Sequence, residues 1–179
     1  MRYKIKDITS AGGTLLVQEE LSRALLADAL AGLEPDLDKS TANIRVELSR
    51  DGDDNVYARG SLKGLVTIAC GNCLAPALVK IDAPLNLTFV PHDEEEAVAG
   101  NDDPLDDVDV ATHDRVTVEL EPIVREQVIL AIPIAPRCRE GCLGLCSTCG
   151  HNRNEGDCGH KPEPLEDPRF QALKNLKLT

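Results

Sequence analysis

Val56-Tyr-Ala-Arg-Gly60-Ser-Leu-Lys-Gly64-Leu-Val-Thr-Ile-Ala69 runs into Cys70-Gly-Asn-Cys73 and then into Leu74-Ala-Pro-Ala-Leu-Val-Lys-Ile81-Asp-Ala-Pro-Leu85-Asn-Leu87-Thr-Phe89-Val90. Leu85, Leu87 and Phe89 fall at every second position, the period at which a strand presents one face to a core. Residues 56–69 read as a long strand with Gly60 and Gly64 as bulge or twist points. Cys70–Cys73 reverses the chain, and residues 74–90 return as a second strand. Upstream, Ile44, Val46 and Leu48 alternate with Asn43, Arg45 and Glu47 over residues 42–49, and Asp51-Gly-Asp-Asp-Asn55 forms a turn. Three such strands in order predict an antiparallel meander.

Outside the meander the pattern changes. Residues 1–8 read as a short strand. Leu21, Leu25, Leu26, Leu30 and Leu33 recur at helical spacing and predict an amphipathic helix over residues 17–33, with Glu19 and Glu20 in its first turn and Pro35 ending it. Residues 115–120 resume a strand. Residues 121–132 form a second helix with Pro122 in its first turn and Ile123, Val124, Val128, Ile129 and Ile132 as its apolar side. Pro168–Leu176 closes the chain as a short helix. The expected fold class is α+β, an antiparallel β-sheet with packed helices.

Apolar residues make up 42% of the 179, but aromatics only 2%, so the core must be built from Leu, Val, Ile and Ala. The first residues alternate polar and apolar, unlike a signal peptide, and no run approaches the roughly 20 apolar residues of a membrane helix. A soluble, cytoplasmic protein is expected, with no membrane partner. The net charge of −12 is uneven. Residues 1–135 carry 12 Lys and Arg against 25 Asp and Glu, whereas residues 136–179 carry 7 against 6. Such a body repels a phosphate backbone, whose non-specific binding rests on cations. If the protein works near RNA, two routes remain, through the near-neutral C-terminal third or through a basic protein that itself binds RNA; otherwise the charge serves only to keep the protein soluble. Residues 93–109 hold nine acids and no base. They read as a solvated loop, either without a role or as a docking site for a basic partner.

Seven cysteines without an export signal argue for metal ligands rather than disulfides. They sit in Cys70-Gly-Asn-Cys73, in Cys138-Arg-Glu-Gly-Cys142-Leu-Gly-Leu-Cys146-Ser-Thr-Cys149-Gly150, and in Cys158-Gly-His160. Short pairs of this kind let one turn offer two ligands to zinc, which takes four in a tetrahedron. With His160 the cysteines supply eight donors, enough for two sites. Cys146, Cys149, Cys158 and His160 form one local group. Cys138 and Cys142 are left to join Cys70 and Cys73, stapling the hairpin to the C-terminal element. One or two zinc ions per chain follow, with two favoured. His92, His113 and His151 read as surface residues, with His151 a substitute for His160. The chain divides into a body over 1–135, a zinc-binding element over 136–160 packed on it, and a tail over 161–179. Neither group keeps an open position beside a general base, so no enzymatic activity is expected.

The run Glu119-Leu-Glu-Pro-Ile-Val-Arg-Glu-Gln-Val-Ile-Leu-Ala-Ile-Pro133 with the cysteine pattern through Asn154 resembles the bacterial YceD family. So do Cys70-x-x-Cys73-Leu74 after a strand and the ending Asp167-Pro-Arg-Phe170…Leu173-Lys-Asn-Leu176. The likeness covers roughly residues 40–179. It implies a non-enzymatic role in accumulation of large-subunit (23S) ribosomal RNA and assembly of the large ribosomal subunit. The partners would be that RNA or a basic large-subunit ribosomal protein. Many members end the metal run in Cys-x-Cys, where this chain has His160, and many carry a base where it has Asn72. Arg137, Arg139, Arg153, Lys174 and Lys177 are the expected contacts for RNA or a partner. Two other classes fit the same residues: a zinc-ribbon module binding nucleic acid or protein in transcription, and a thiol oxidoreductase using Cys70 and Cys73.

Overall fold

The computed structural model describes residues 1–51, 54–94 and 109–160. The meander is its centre. β3 (Asp36–Arg50), β4 (Val56–Ala69) and β5 (Pro76–Pro91) are consecutive antiparallel strands, β3 paired to β4 with Val46 opposite Gly60, and β4 to β5 with Leu62 opposite Ala83. Alternate residues point to one covered face. On β3 these are Ser40, Ala42, Ile44, Val46 and Leu48, and on β5 they run from Ala77 through Ile81 and Leu85 to Phe89. Phe89 is the single aromatic fully buried among the described residues, so the core is aliphatic, as the composition requires.

The N-terminal region differs from the expectation. β1 (Arg2–Lys4) is followed at once by a short helix, α1 (Ile5–Ser10), which buries Ile5 and Ile8. Residues expected to begin a helix at 17 instead form β2 (Thr14–Glu20), antiparallel to β3 with Val17 opposite Val46. The ladder continues as the Leu21 N–H donates to Ala42 O at 2.8 Å. The helix starts only at α2 (Arg23–Ala29), where the Ser22 hydroxyl accepts the Leu25 N–H at 3.2 Å and caps it. The leucine stripe is real: Leu21, Leu25, Leu26 and Leu30 are all buried. Its first member belongs to the end of the strand, because pairing with the open edge of β3 satisfies more backbone groups than an earlier helical turn would.

Two further strands complete the body. β6 (Asp109–His113) runs parallel to β5, with Phe89 opposite Ala111, so the five-stranded sheet β2-β3-β4-β5-β6 is mixed rather than wholly antiparallel. β7 (Thr117–Glu119) pairs with β1 in a separate two-stranded sheet. α3 (Glu121–Ala131) follows, with Pro122 in its first turn as expected. It packs against α2 and over β4 and β5. Val124 and Val128 are buried, but Ile129 is 41% exposed. His113 also departs from its expected surface position. It is buried, with Nε2 against Asp54 O at 3.0 Å and Nδ1 accepting the Arg115 N–H at 2.9 Å. The acidic run 95–108, the turn tip 52–53, and the terminal helix expected at 168–176 with Lys174 and Lys177 lie outside the described residues.

Gly60 and Gly64 are not bulges. The β3–β4 register passes both without a shift, and its one irregularity lies between Asp36 and Thr41. The glycines serve close approach: a Cβ on Gly60 would lie 2.7 Å from Val46 Cα, and one on Gly64 2.7 Å from Ala42 Cα. Gly60→Ala must part the two strands and is expected to lower stability by about 1–3 kcal/mol. Gly156→Ala, with nothing within 4 Å of its added methyl, should stay within about 0.5 kcal/mol. Urea unfolding of the two variants checks this; equal effects would refute the close-approach account.

Candidate metal centres

The β4–β5 turn is built to present two sulfurs. The Cys70 N–H donates to Ala75 O at 2.9 Å and the Leu74 N–H to Cys70 O at 2.9 Å, closing the turn around Leu74 at a φ of 61°. The Asn72 N–H donates to Cys70 Sγ at 3.5 Å. The C-terminal segment lies against this turn through backbone bonds. The Gly71 N–H reaches Pro136 O at 2.8 Å, and the Leu145 N–H reaches Asn72 O at 3.1 Å. Gly144 sits under Asn72 at a φ of 73°, where a Cβ would lie 3.2 Å from Asn72 O. A side chain there would both strain the backbone and push the segment off the turn.

This packing brings Cys138 and Cys142 onto Cys70 and Cys73. Cys70 Sγ lies 3.9 Å from Cys142 Sγ, and Cys73 Sγ 3.6 Å from Cys138 Sγ, with all four sulfurs within 4.8 Å of one another. Neither pair is a disulfide, and all seven cysteines are free. A zinc ion about 2.3 Å from each of four thiolates would place the sulfurs about 3.8 Å apart, so the donor set fits a tetrahedral ion. Cys70 and Cys73 are buried, and Cys138 and Cys142 half-buried.

The second group is local. The Cys146 N–H donates to His151 O at 2.8 Å and the Gly150 N–H to Cys146 O at 2.8 Å, with Gly150 at a φ of 71°. Leu145 and Asn152 form an antiparallel bridge that closes the loop. Cys158 and His160 return to it across Gly159, giving a four-donor set of Cys146, Cys149, Cys158 and His160 within 4.8 Å. His151 offers its carbonyl to Cys146 and is not part of the set; its side chain is exposed. Cys146 is buried, but Cys149 and His160 are exposed.

The thiols are electrostatically unequal. Burial raises Cys70, but N–H groups of Asn72, Cys138 and Cys73 outweigh it and bring its pKa down to about 6. Contact with Cys73, together with burial, pushes Cys138 up to about 12. The Gly144 N–H and the Asn154 amide hold Cys142 below its ordinary value. In the second group, the Cys149 and Thr148 N–H groups bring Cys146 to about 6. Four close sulfurs cannot all ionise beside one another unless a cation sits among them. The low members are the sulfurs that backbone donors already prepare as ligands.

Asn154 joins the two groups and went unassigned in the sequence. Its Oδ1 accepts from Arg139 Nη2 at 2.8 Å and from the Leu143 N–H at 2.9 Å, while its Nδ2 donates to Cys142 Sγ at 3.4 Å. It stands in the loop between Cys149 and Cys158 yet touches a sulfur of the other group. The Leu145–Asn152 bridge and the Asn154 N–H donated to Asn152 Oδ1 at 3.1 Å hold it there. Of the expected surface cations, Arg137 is exposed, Arg139 is engaged with Asn154, and Arg153 is half-buried with its N–H on Gly144 O at 3.0 Å.

The architecture is that of a cysteine-rich α+β protein whose sheet hairpin and C-terminal segment share one candidate metal centre and whose C-terminal loop holds another. The chain belongs to the family described as Large ribosomal RNA subunit accumulation protein YceD, which it matches over residues 58–177. It is similar to uncharacterized proteins of Mycobacterium tuberculosis (strain ATCC 25618 / H37Rv) and Mycobacterium bovis, each 28% identical over 134 residues. These alignments cover 75% of this chain and 60% of each relative. An uncharacterized protein of Mycobacterium leprae is 26% identical over 171 residues, 95% of this chain and 76% of its own. No solved structure matches.

Elemental analysis of the purified protein is expected to give two zinc ions per chain, and one after Cys70→Ser with Cys73→Ser. A single ion in the native protein would sink the two-site account. Asn154→Ala is expected to weaken the Cys70 group for zinc by roughly 10–100-fold in chelator competition while leaving both ions bound at saturation.

Proposed function

We propose that this protein is a non-enzymatic factor promoting accumulation of large-subunit (23S) ribosomal RNA and assembly of the large ribosomal subunit, with two structural zinc ions. The family match carries the reading, since residues 58–177 include all eight candidate ligands. The metal geometry supports the structural role. Each group uses four protein donors, which leaves a tetrahedral ion no position for substrate. Zinc at Cys70, Cys73, Cys138 and Cys142 would fix the segment carrying Arg137 and Arg139 against the sheet. Its partner would be ribosomal RNA or a basic large-subunit ribosomal protein, in the cytoplasm.

One observation favours a second reading. A Cys70 thiol with a pKa of about 6 is the kind of sulfur a thiol oxidoreductase uses. That reading predicts insulin reduction and a mixed disulfide at Cys70, and firm retention of zinc by Cys70 and Cys73 speaks against it. A zinc-ribbon role in transcription predicts preferential binding of promoter DNA over ribosomal RNA in filter assays.

Cells lacking the gene are expected to show a deficit of large subunits in sucrose-gradient ribosome profiles and reduced 23S RNA relative to 16S. Restoring the protein with Cys73→Ser should fail to correct it. Normal profiles in the deletion strain would overturn the assembly reading.

A further inference from the structure

A second cluster of cations lies at the end of the sheet away from the cysteines. Lys4, Ile5, Lys6, Thr9, Ser10, Arg50, Arg115 and Val116 line an open cleft of about 620 Å³. The lining has four cations, two hydroxyls and no carboxylate, in a chain of net charge −12. The larger cleft of about 740 Å³ beside α3 is different. Its lining sets Arg2 and Arg125 against Asp28, Glu119 and Glu121, so its side-chain carboxylates outnumber its side-chain cations.

The cationic cleft is held in shape by the fold. The Ile5 N–H donates to Val116 O at 2.9 Å, tying α1 to the approach of β7, and the Arg50 N–H donates to Gly13 O at 3.0 Å, tying the end of β3 to the loop after α1. Asp54 lies between the two guanidinium groups. One oxygen accepts from Arg50 Nη2, and the other accepts from Arg115 Nη1 at 2.7 Å. Asp93 holds the rest of the Arg115 fork, and Arg50 Nη1 donates to Thr9 Oγ1 at 3.1 Å. Arg50 Nε is buried and has no hydrogen-bond partner among the described residues. Lys4 and Lys6 are exposed and form no ion pair among the described residues. With Asp54 and Asp93 set against Arg50 and Arg115, the four cations of the cleft outnumber these two carboxylates by two, and Lys4 and Lys6 carry that surplus toward solvent, where phosphate oxygens can meet it. The volume falls within the range of about 300–1,000 Å³ typical of ligand sites.

We propose that this cleft binds phosphate groups, and that in the working protein they belong to the backbone of RNA. The RNA source rests on the assembly reading above; the phosphate site itself does not. The cleft gives an acidic chain a place to hold RNA that the C-terminal arginines do not supply. It lies at the Arg50–Val56 end of β4, whereas Cys70 follows its other end, up to about 45 Å away for 14 strand residues. One extended RNA segment, or two segments of a folded RNA, could then meet both ends of the sheet.

The test uses the zinc-loaded full chain. Pyrophosphate titrated into ¹⁵N-labelled protein is expected to shift the amides of Lys6, Thr9, Ser10, Arg50 and Arg115, and no response there would overturn the phosphate site. A single-stranded oligoribonucleotide is expected to shift the same amides. Lys4→Ala with Lys6→Ala, both exposed and harmless to the core, should weaken RNA binding roughly tenfold. It should also flatten the dependence of log Kd on log salt by about 1.4, the value for two lost phosphate contacts on a single strand. Unchanged affinity and slope in the double variant would overturn the RNA assignment. A pyrophosphate response without an RNA response supports the cleft and assigns it to a small phosphate compound instead. Zinc content should be identical in variant and parent, so failure here is separable from failure of the metal centres.

Discussion

The contact between the β4–β5 turn and the segment Pro136–Cys146 is the constraint on which the C-terminal half of the molecule depends. Two backbone bonds make it, from Gly71 to Pro136 and from Leu145 to Asn72, and four sulfurs converge over it. The segment has little else to hold it. Its leucines, Leu143 and Leu145, remain exposed, and the buried side chains at this end are mostly cysteines with Ala77. Two backbone hydrogen bonds of about 1 kcal/mol each do not order a segment of this length against its conformational entropy. A shared metal ion can, because its binding free energy becomes folding free energy. The cluster therefore works as the small core of a region that has no hydrophobic one.

The sheet hairpin supplies two of the four donors of that candidate centre, Cys70 and Cys73. The hydrophobic core and the sulfur cluster are distinct, and the long strands β4 and β5 connect them. Gly60 and Gly64 let β4 approach β3, and Ala42 and Ala58 keep the covered face shallow there. A chain with almost no aromatic residues has few large side chains for filling space between layers, so close strand approach and aliphatic packing do the work that rings would otherwise do.

Much of this was legible in the residues. The meander followed from period-two alternation, and α3 from its apolar spacing and Pro122. The two four-donor groups followed from counting sulfurs, and the structure brings the same residues together. What escaped was decided by partners distant in sequence. Val17 to Glu20 carry no local sign that favours strand over helix; the open edge of β3 decides it. β6 runs parallel to β5, a pairing that no local pattern in residues 109–113 announces. His113 looked like a surface residue since nothing nearby in sequence shows that Asp54 and Arg115 enclose it. Asn154 carries no local sign of its contact, because the sulfur it meets lies twelve residues back in the chain.

The charge distribution has the same character. A count along the chain makes residues 1–135 uniformly hostile to a polyanion, yet folding sorts the charges by place. Asp54 and Asp93 pair with Arg50 and Arg115 and fix the guanidiniums in place, while Lys4 and Lys6 are left to face solvent. Net charge then governs approach from a distance, and that term falls off within about 8 Å at physiological salt. Inside that range the local arrangement decides. If phosphates do occupy the cleft at Lys4 and Lys6, an acidic chain that repels polyanions at a distance would still hold one whose phosphates fit that place, which is a physical route to selectivity without base recognition.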